Sequence, residues 1–347
     1  MKVLSVLTGF ITALACALVV VVAASASASA PRKALPRGGK VIAIVRIPAG
    51  TGAFAVGAEA VWAVSDTGPV LTRIDPHRNV VVASIKIGLN HACPAQPPGC
   101  GEAAAANGAI WVTHADDNTV SRIDPATNDV TATVKVGSRP LAIAVSPGAV
   151  WVANGGGPSV SRIDPATNRV VATIRLGPRT EATDRMAVAA GGGAVWVTMT
   201  VPDAVVRIDP ATNKVSATIK LPWLRSGQPC GFLAARQGVV WAAGAHCGSS
   251  SGYSVVTRID SQKNTFTGTV TGFQAPIGLA LGFGSLWVAD LDAKMIDRVD
   301  PGTGRIVARL PVGGQPIRLG IGFGSVWVRD DGGRVLRIRP LAVQPGP

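Results

Sequence analysis

Gly148-Ala149-Val150-Trp151-Val152-Ala153-Asn154 is followed by Ser159-Val160-Ser161-Arg162-Ile163-Asp164-Pro165-Ala166-Thr167-Asn168 and then by Arg169-Val170-Val171-Ala172-Thr173-Ile174-Arg175-Leu176. Together with the preceding Leu141–Val145, this stretch reads as four short strands: Leu141–Val145, Ala149–Asn154, Ser159–Asp164 and Arg169–Leu176. Each run is rich in Val, Ile, Ala or Thr and ends at Gly, Pro or Asn, as strands separated by tight turns do. We call them A to D. The unit recurs seven times, marked by Trp62, Trp111, Trp151, Trp196, Trp241, Trp287 and Trp327 at spacings of 49, 40, 45, 45, 46 and 40 residues. A period in the low to middle forties is that of a four-stranded propeller blade, so the expected fold is an all-β, seven-bladed β-propeller.

Each part of the repeat has a structural task. The turn between C and D is Asp-Pro-Ala-Thr-Asn at 124–128, 164–168 and 209–213, with variants at 75–79, 260–264 and 300–304. Asp accepts backbone N–H groups, Pro presets the first turn dihedral, and Asn or Gly tolerates the positive φ that ends the turn. Glycine precedes strand B in six units, as at Gly108, Gly148 and Gly193, and strand A is built from small residues suited to a crowded axis. The repeated Trp is suited to the wider space between blades. Unit seven has strands A to C at Ile317–Gly322, Ser325–Asp330 and Val335–Arg339 but then meets Pro340, Pro345 and Pro347. The segment from Val41 to Pro48 matches the D strand Ile306–Pro311 in pattern, so the N-terminal strand is expected to complete the last blade and close the ring.

The chain has 347 residues, 47% of them hydrophobic, with 41 Gly, 25 Pro and a mean hydropathy of +0.34, which excludes a disordered tail and a small disulfide scaffold. The expected organisation is a secretory signal at 1–30, a linker at 31–39, the propeller at 40–340 and a tail at 341–347. Lys2, the uncharged run Leu7 to Ala24 and the Ala-Ser repeats from Ala24 to Ala30 carry the signal reading, and an uncleaved anchor over residues 4–24 is the alternative. Both place the body outside the cytoplasm. Four cysteines follow the leader, and in an oxidising compartment they read as two disulfides, Cys93 with Cys100 and Cys230 with Cys247. A zinc site with His91 or His246 is the competing reading, against which the spacing matches no standard pattern. The net charge of +13 invites anionic partners, yet Arg73, Arg122, Arg162, Arg207, Arg258, Arg298 and Arg337 recur once per blade on strand C. A ring of charge is a poor nucleic-acid footprint, so nucleic acid is not the expected partner.

The repeats G-A-V-W-V-A-N, S-V-S-R-I-D-P-A-T-N and V-x-A-T-I-x-V-G-x-x-P resemble the YVTN-type seven-bladed propeller repeats and the related virginiamycin B lyase-like group over about residues 40–340. The shared motif is blade scaffolding, so the resemblance is specific for architecture. It implies, for lyases of that type, ring opening of a cyclic depsipeptide by elimination, with His and Glu side chains and Mg2+. In that group strand B commonly ends W-F-T-E. Here the residues three after each Trp are Ser65, His114, Asn154, Met199, Gly244, Asp290 and Asp330, none of them Glu. The docking pattern of quinoprotein blades is also missing.

The D-to-A and B-to-C loops share one face of a propeller, and there the repeats vary most. The candidate residues lie on it. His114, His246, Glu181 and Glu102 are candidate acid–base groups, because the chain has only four His and three Glu and Glu59 belongs to the opposite face. His91, Arg179, Arg185, Trp223 and Arg225 are candidate ligand contacts, with Trp223 either a ligand platform or a lid over the nearby core. Asp290, Asp292, Asp330 and Asp331, from blades six and seven, are candidate ligands for Mg2+ or Ca2+, or else ordinary turn residues. The expected function is an exported, monomeric propeller that binds a small molecule, peptide or cell-envelope component through this face. A lyase-like enzyme is the alternative, and a protein–protein scaffold is a third reading.

Overall fold

The structure, a computed structural model, describes residues 35–50, 52–65, 70–88, 101–177, 186–200, 203–221, 232–244 and 254–342. These residues contain 28 strands. After β1 (Gly39–Arg46), blade one is β2 (Phe54–Gly57), β3 (Ala60–Val64), β4 (Val70–Asp75) and β5 (Val80–Lys86). Blade two is β6 (Ala103–Ala106), β7 (Ala109–His114), β8 (Thr119–Ile123) and β9 (Val130–Lys135); blade three is β10 (Pro140–Ser146), β11 (Ala149–Asn154), β12 (Ser159–Asp164) and β13 (Arg169–Arg175). Blade four is β14 (Val188–Gly191), β15 (Ala194–Thr200), β16 (Asp203–Asp209) and β17 (Lys214–Lys220); blade five is β18 (Leu233–Arg236), β19 (Val239–Gly244), β20 (Val255–Asp260) and β21 (Thr265–Val270). Blade six is β22 (Pro276–Gly282), β23 (Ser285–Asp290), β24 (Met295–Val299) and β25 (Ile306–Pro311). Blade seven consists of β26 (Pro316–Gly322), β27 (Ser325–Asp330) and β28 (Arg334–Pro340), with β1 as its fourth strand.

All seven sheets are four-stranded and antiparallel, and β1 pairs with β28 from Gly39 opposite Pro340 to Arg46 opposite Arg334. The innermost strands touch in sequence around the ring, from β2 through β6, β10, β14, β18, β22 and β26 back to β2. This is the closed seven-bladed propeller expected from the repeat. The turns use the chemistry their residues suggest: the Ala126, Ala166 and Ala211 N–H groups donate to Asp124, Asp164 and Asp209 Oδ1 at 2.7, 2.9 and 2.9 Å. Asn128, Asn168 and Asn213 close the turns at φ of 65°, 55° and 55°. Backbone N–H donors hold the Asp164 and Asp209 carboxyls below the usual carboxylate range.

The core lies between blades. Each repeated tryptophan is fully buried. Trp62 packs with Ile110, Val112 and Ile123 of blade two, Trp151 with Val195 and Ile208 of blade four, and Trp327 with Val61 and Ile74 of blade one. Each such side chain removes roughly 200 Å² from water, a gross gain of about 5 kcal/mol. The strand-C arginines lie over their own blade's tryptophan, at 5.1 Å for Arg162 over Trp151 and 5.2 Å for Arg337 over Trp327. Arg73, Arg122, Arg162 and Arg337 then reach a turn of the next blade: Arg162 Nη1 donates to Pro210 O and Asn213 Oδ1 at 2.7 and 2.8 Å, and Arg73 Nη1 to Pro125 O and Asn128 Oδ1 at 2.6 and 3.0 Å. At these four positions the recurrent basic residue is a clasp between blades. At the seam of blades seven and one, the fully buried Arg329 also donates through Nη1 to Ala53 O at 3.0 Å.

The expectation of two disulfides is corrected. Among the described residues no pair of cysteines stands at disulfide distance, and Cys93, Cys100, Cys230 and Cys247 all lie outside them. Residues 1–30, the expected leader, lie outside them as well; among the described residues no helix is long and apolar enough to cross a membrane.

Candidate functional site

The ends of the B strands and the starts of the A strands lie on the same face, where the D-to-A loops arrive. Two columns of residues, aligned on the tryptophans, decide what that face is made of.

In three blades the residue three after the Trp secures a loop or turn. In blade six the Asp290 carboxylate, 1% exposed, accepts the Gln274 N–H at 2.8 Å and the Ala275 N–H at 2.7 Å from the loop entering its own blade. In blade three the buried Asn154 donates to Ser159 Oγ and Ser161 Oγ at 3.1 and 3.0 Å. A Cβ added at Gly137, in the entering loop, would sit 2.5 Å from Asn154 Nδ2, so that loop can approach only as glycine. His114 Nε2 and Ser121 Oγ share a 2.8 Å hydrogen bond in blade two. In blade seven the buried Asp330 accepts the Arg334 N–H at 2.7 Å and forms an ion pair with Arg334 Nε. The position at which the resemblance places a Glu is thus occupied in blades three, six and seven by side chains that hold loops and turns.

The column nine residues before each Trp is Ala53, Glu102, Ala142, Ala187, Phe232, Gly278 and Arg318. All seven occupy the same rung, since each lies opposite or hydrogen-bonds to the residue two after its own Trp, as in Ala142 opposite Ala153, Gly278 opposite Ala289 and Arg318 opposite Arg329. The Thr113, Thr198, Ala243 and Val64 N–H groups donate to Glu102, Ala187, Phe232 and Ala53 in the same way. Four of the seven are Ala or Gly. The other three meet: Arg318 Nη1 donates to Glu102 Oε1 at 2.6 Å, and Arg318 Cζ stands 4.2 Å from the centre of the Phe232 ring. Blades two, five and seven are not neighbours, so these contacts are made across the axis, over the small residues of the intervening blades.

This trio is electrostatically unusual. Arg318 is 4% exposed, and its Nε and Nη2 have no hydrogen-bond partner among the described residues. Burial pushes the Glu102 carboxyl up, and the Arg318 guanidinium beside it opposes that shift without cancelling it. The result is an ion pair at the axis with one unused donor edge and one carboxylate made more basic.

Of the residues singled out from the sequence, Glu102 belongs to the axial trio, and His114 hydrogen-bonds Ser121 on the neighbouring strand of its own blade. Asp290 and Asp330 are buried and engaged, whereas Asp292 and Asp331 are exposed. Among the described residues no group of three or more His, Cys, Asp or Glu side chains is arranged to hold a metal ion. The described residues therefore present no such set to the Mg2+ that the resemblance implies. His91, Arg179, Glu181, Arg185, Trp223, Arg225 and His246 lie outside the described residues. Sequence reasoning missed Phe232 and Arg318, although the spacing of nine before Trp marks both.

Fold and site together define a seven-bladed β-propeller with an asymmetric polar group on its axis. No family model matches the chain, and no curated protein does. Among solved structures, it is similar to virginiamycin B lyase from Staphylococcus aureus, with a TM-score of 0.67 at 16% identity over 86% of this chain and 99% of that one. A streptogramin B lyase gives a TM-score of 0.69 at 15% identity over 85% and 95%. Hydrazine synthase of Kuenenia stuttgartiensis gives 0.68 at 13% identity over 86% and 97%. At these identities the likeness is one of fold.

Proposed function

We propose that the protein is an exported propeller whose loop-rich face binds a small molecule or peptide, seated on Arg318, Glu102 and Phe232 at the axis. The observation that carries this reading is the buried guanidinium with two N–H groups left without partners among the described residues. Leaving such donors unpaired costs about 1–3 kcal/mol each, a cost that a fold bears readily where a ligand later supplies the acceptors. The leader-like residues 1–30 support export, and the aromatic floor beside a cation suits a ligand with a planar or carbonyl-bearing group.

A second reading, elimination on a cyclic depsipeptide, is supported by two lyases among the similar structures and by Glu102. A carboxylate whose pKa is raised is a better proton acceptor near neutral pH, and a guanidinium beside it favours the developing enolate. Elimination would take a proton from the carbon that stands between a carbonyl and the carbon bearing the ester oxygen, form a C=C bond between those two carbons, and break the C–O bond to release a carboxylate, so the ring-opened product keeps the mass of the substrate. The test is incubation of the full chain with a streptogramin B-type depsipeptide, followed by size exclusion and liquid chromatography with mass spectrometry. Retention of the intact compound by the protein supports the binding reading. A product of unchanged mass and shifted retention, lost in Glu102→Gln, supports elimination. A compound neither retained nor converted removes this substrate class from both readings.

A further inference from the structure

The two bidentate edges of a guanidinium are not equivalent in this site. The Glu102 carboxylate engages Nη1, whereas the Nε and Nη2 edge is buried without a hydrogen-bond partner among the described residues. Those two N–H groups are parallel and in plane, a spacing that matches the two oxygens of one carboxylate. The residues of the same rung sharpen the choice: Ala53, Ala142, Ala187 and Gly278 offer only methyl groups or hydrogen, and Phe232 offers a ring. A phosphate or sulfate would bring further oxygens and, for phosphate, further charge, for which the rung holds no side-chain donors. A flat monoanion needs only the edge that is open.

We propose that Arg318 is the receptor for a ligand carboxylate, bound side-on through Nε and Nη2 beside the Phe232 ring at the axial end of the loop-rich face. The assignment rests on the reading of that face as a ligand site and names the chemical class it takes. It has a measurable consequence at Glu102. Once a second carboxylate shares the guanidinium, the protonated form of Glu102 is favoured, so binding draws a proton onto Glu102. Arg318 is the charged group that acts on Glu102 among the described residues, so the readout is local to the pair.

The chain has three glutamates, so protein labelled with carbon-13 at the Glu carboxyl carries three resonances, and loss of one in Glu102→Gln assigns it. The titration is run on the full chain at constant ionic strength in sodium chloride, sodium acetate or sodium phosphate. Acetate is expected to raise the Glu102 midpoint saturably by about half a pH unit or more relative to chloride. The increment is expected to vanish in Arg318→Lys, which keeps the charge but lacks the fork. The same midpoint in acetate and chloride overturns the assignment, as does an equal response to phosphate, which marks a general anion site. If a depsipeptide is retained by the protein while acetate leaves Glu102 unmoved, the ligand face stands and the carboxylate assignment falls. If neither binds, the carboxylate assignment falls and the depsipeptide class is removed from the ligand face as well.

Discussion

A chain lacking residues 31–48 is expected to be recovered as insoluble or aggregated protein rather than as a folded monomer. The reason lies in the seventh sheet, whose outer strand is β1 and whose other three strands end the propeller. Val45, 6% exposed, packs in the cluster that holds Trp327, Val335, Val61 and Ile74, and the Ile47 N–H donates to Gly333 O at 2.9 Å. Without β1 the last blade has three strands, the edge of β28 is open, and the seam that joins the two ends of the chain loses its β-ladder. An unpaired edge beside an uncovered apolar cluster is an aggregation template. Solubility and size exclusion of the truncated chain measure the effect, and a soluble monomer with the thermal stability of the full chain would show that β1 is dispensable.

The second large effect concerns Asp297. Its equivalents immediately before the strand-C arginine are Thr72, Ser121, Ser161, Val206, Thr257 and Leu336, so a carboxylate here departs from six neutral neighbours. Asp297 is 1% exposed, neither of its oxygens has a hydrogen-bond partner among the described residues, and Arg309 Nε lies 3.3 Å away. Burial pushes its carboxyl up to about 7; Arg309 opposes the shift, and Asp290 adds to it. For an acid whose folded-state pKa lies above the unfolded value, the native state binds the extra proton between the two. Stability is therefore highest at or below pH 3.8 as far as this group is concerned and falls as pH rises towards about 7. The loss across that window is about 4 kcal/mol. Asp297→Asn removes the ionisation, so it is expected to recover most of that loss at pH 8 and to change little at pH 4. Denaturant unfolding of both proteins at the two pH values measures it, and equal destabilisation by Asn at both would show that the carboxylate is paired in the native state.

How much could be read beforehand follows from where each signal sits along the chain. The tryptophans, the Asp-Pro-Ala-Thr-Asn turns and the absent D strand of unit seven are local features repeated seven, three and one times, and each dictates a conformation by itself. Closure by residues 41–48 was legible for that reason, with β1 observed over Gly39–Arg46. The strand-C arginines were legible as a ring, but the four that act as clasps were not legible as such, because their acceptors are turns of the next blade, as Arg162 finds at Pro210 and Asn213. Asp290 reads as a potential metal ligand because its partners, the Gln274 and Ala275 N–H groups, have no signature in a side-chain sequence. Glu102 and Arg318 are 216 residues apart, and only the ring brings them together. Their column becomes visible once the blades are aligned on tryptophan and seven residues are considered as one rung.

The axial position of the ligand site is the central claim, and the opposite face supplies its control. That face carries a cavity of about 370 Å³ lined by Glu59, Arg73, Asp75, His77, Val82 and Phe323. The measurement is native mass spectrometry of the full chain against a library of short peptides and small carboxylic acids, repeated with Arg318→Gln, Phe232→Ala and His77→Ala. Ligands retained by the parent protein are predicted to be lost in Arg318→Gln, weakened in Phe232→Ala and kept in His77→Ala. Retention in Arg318→Gln together with loss in His77→Ala would place the site on the other face and contradict the axial assignment.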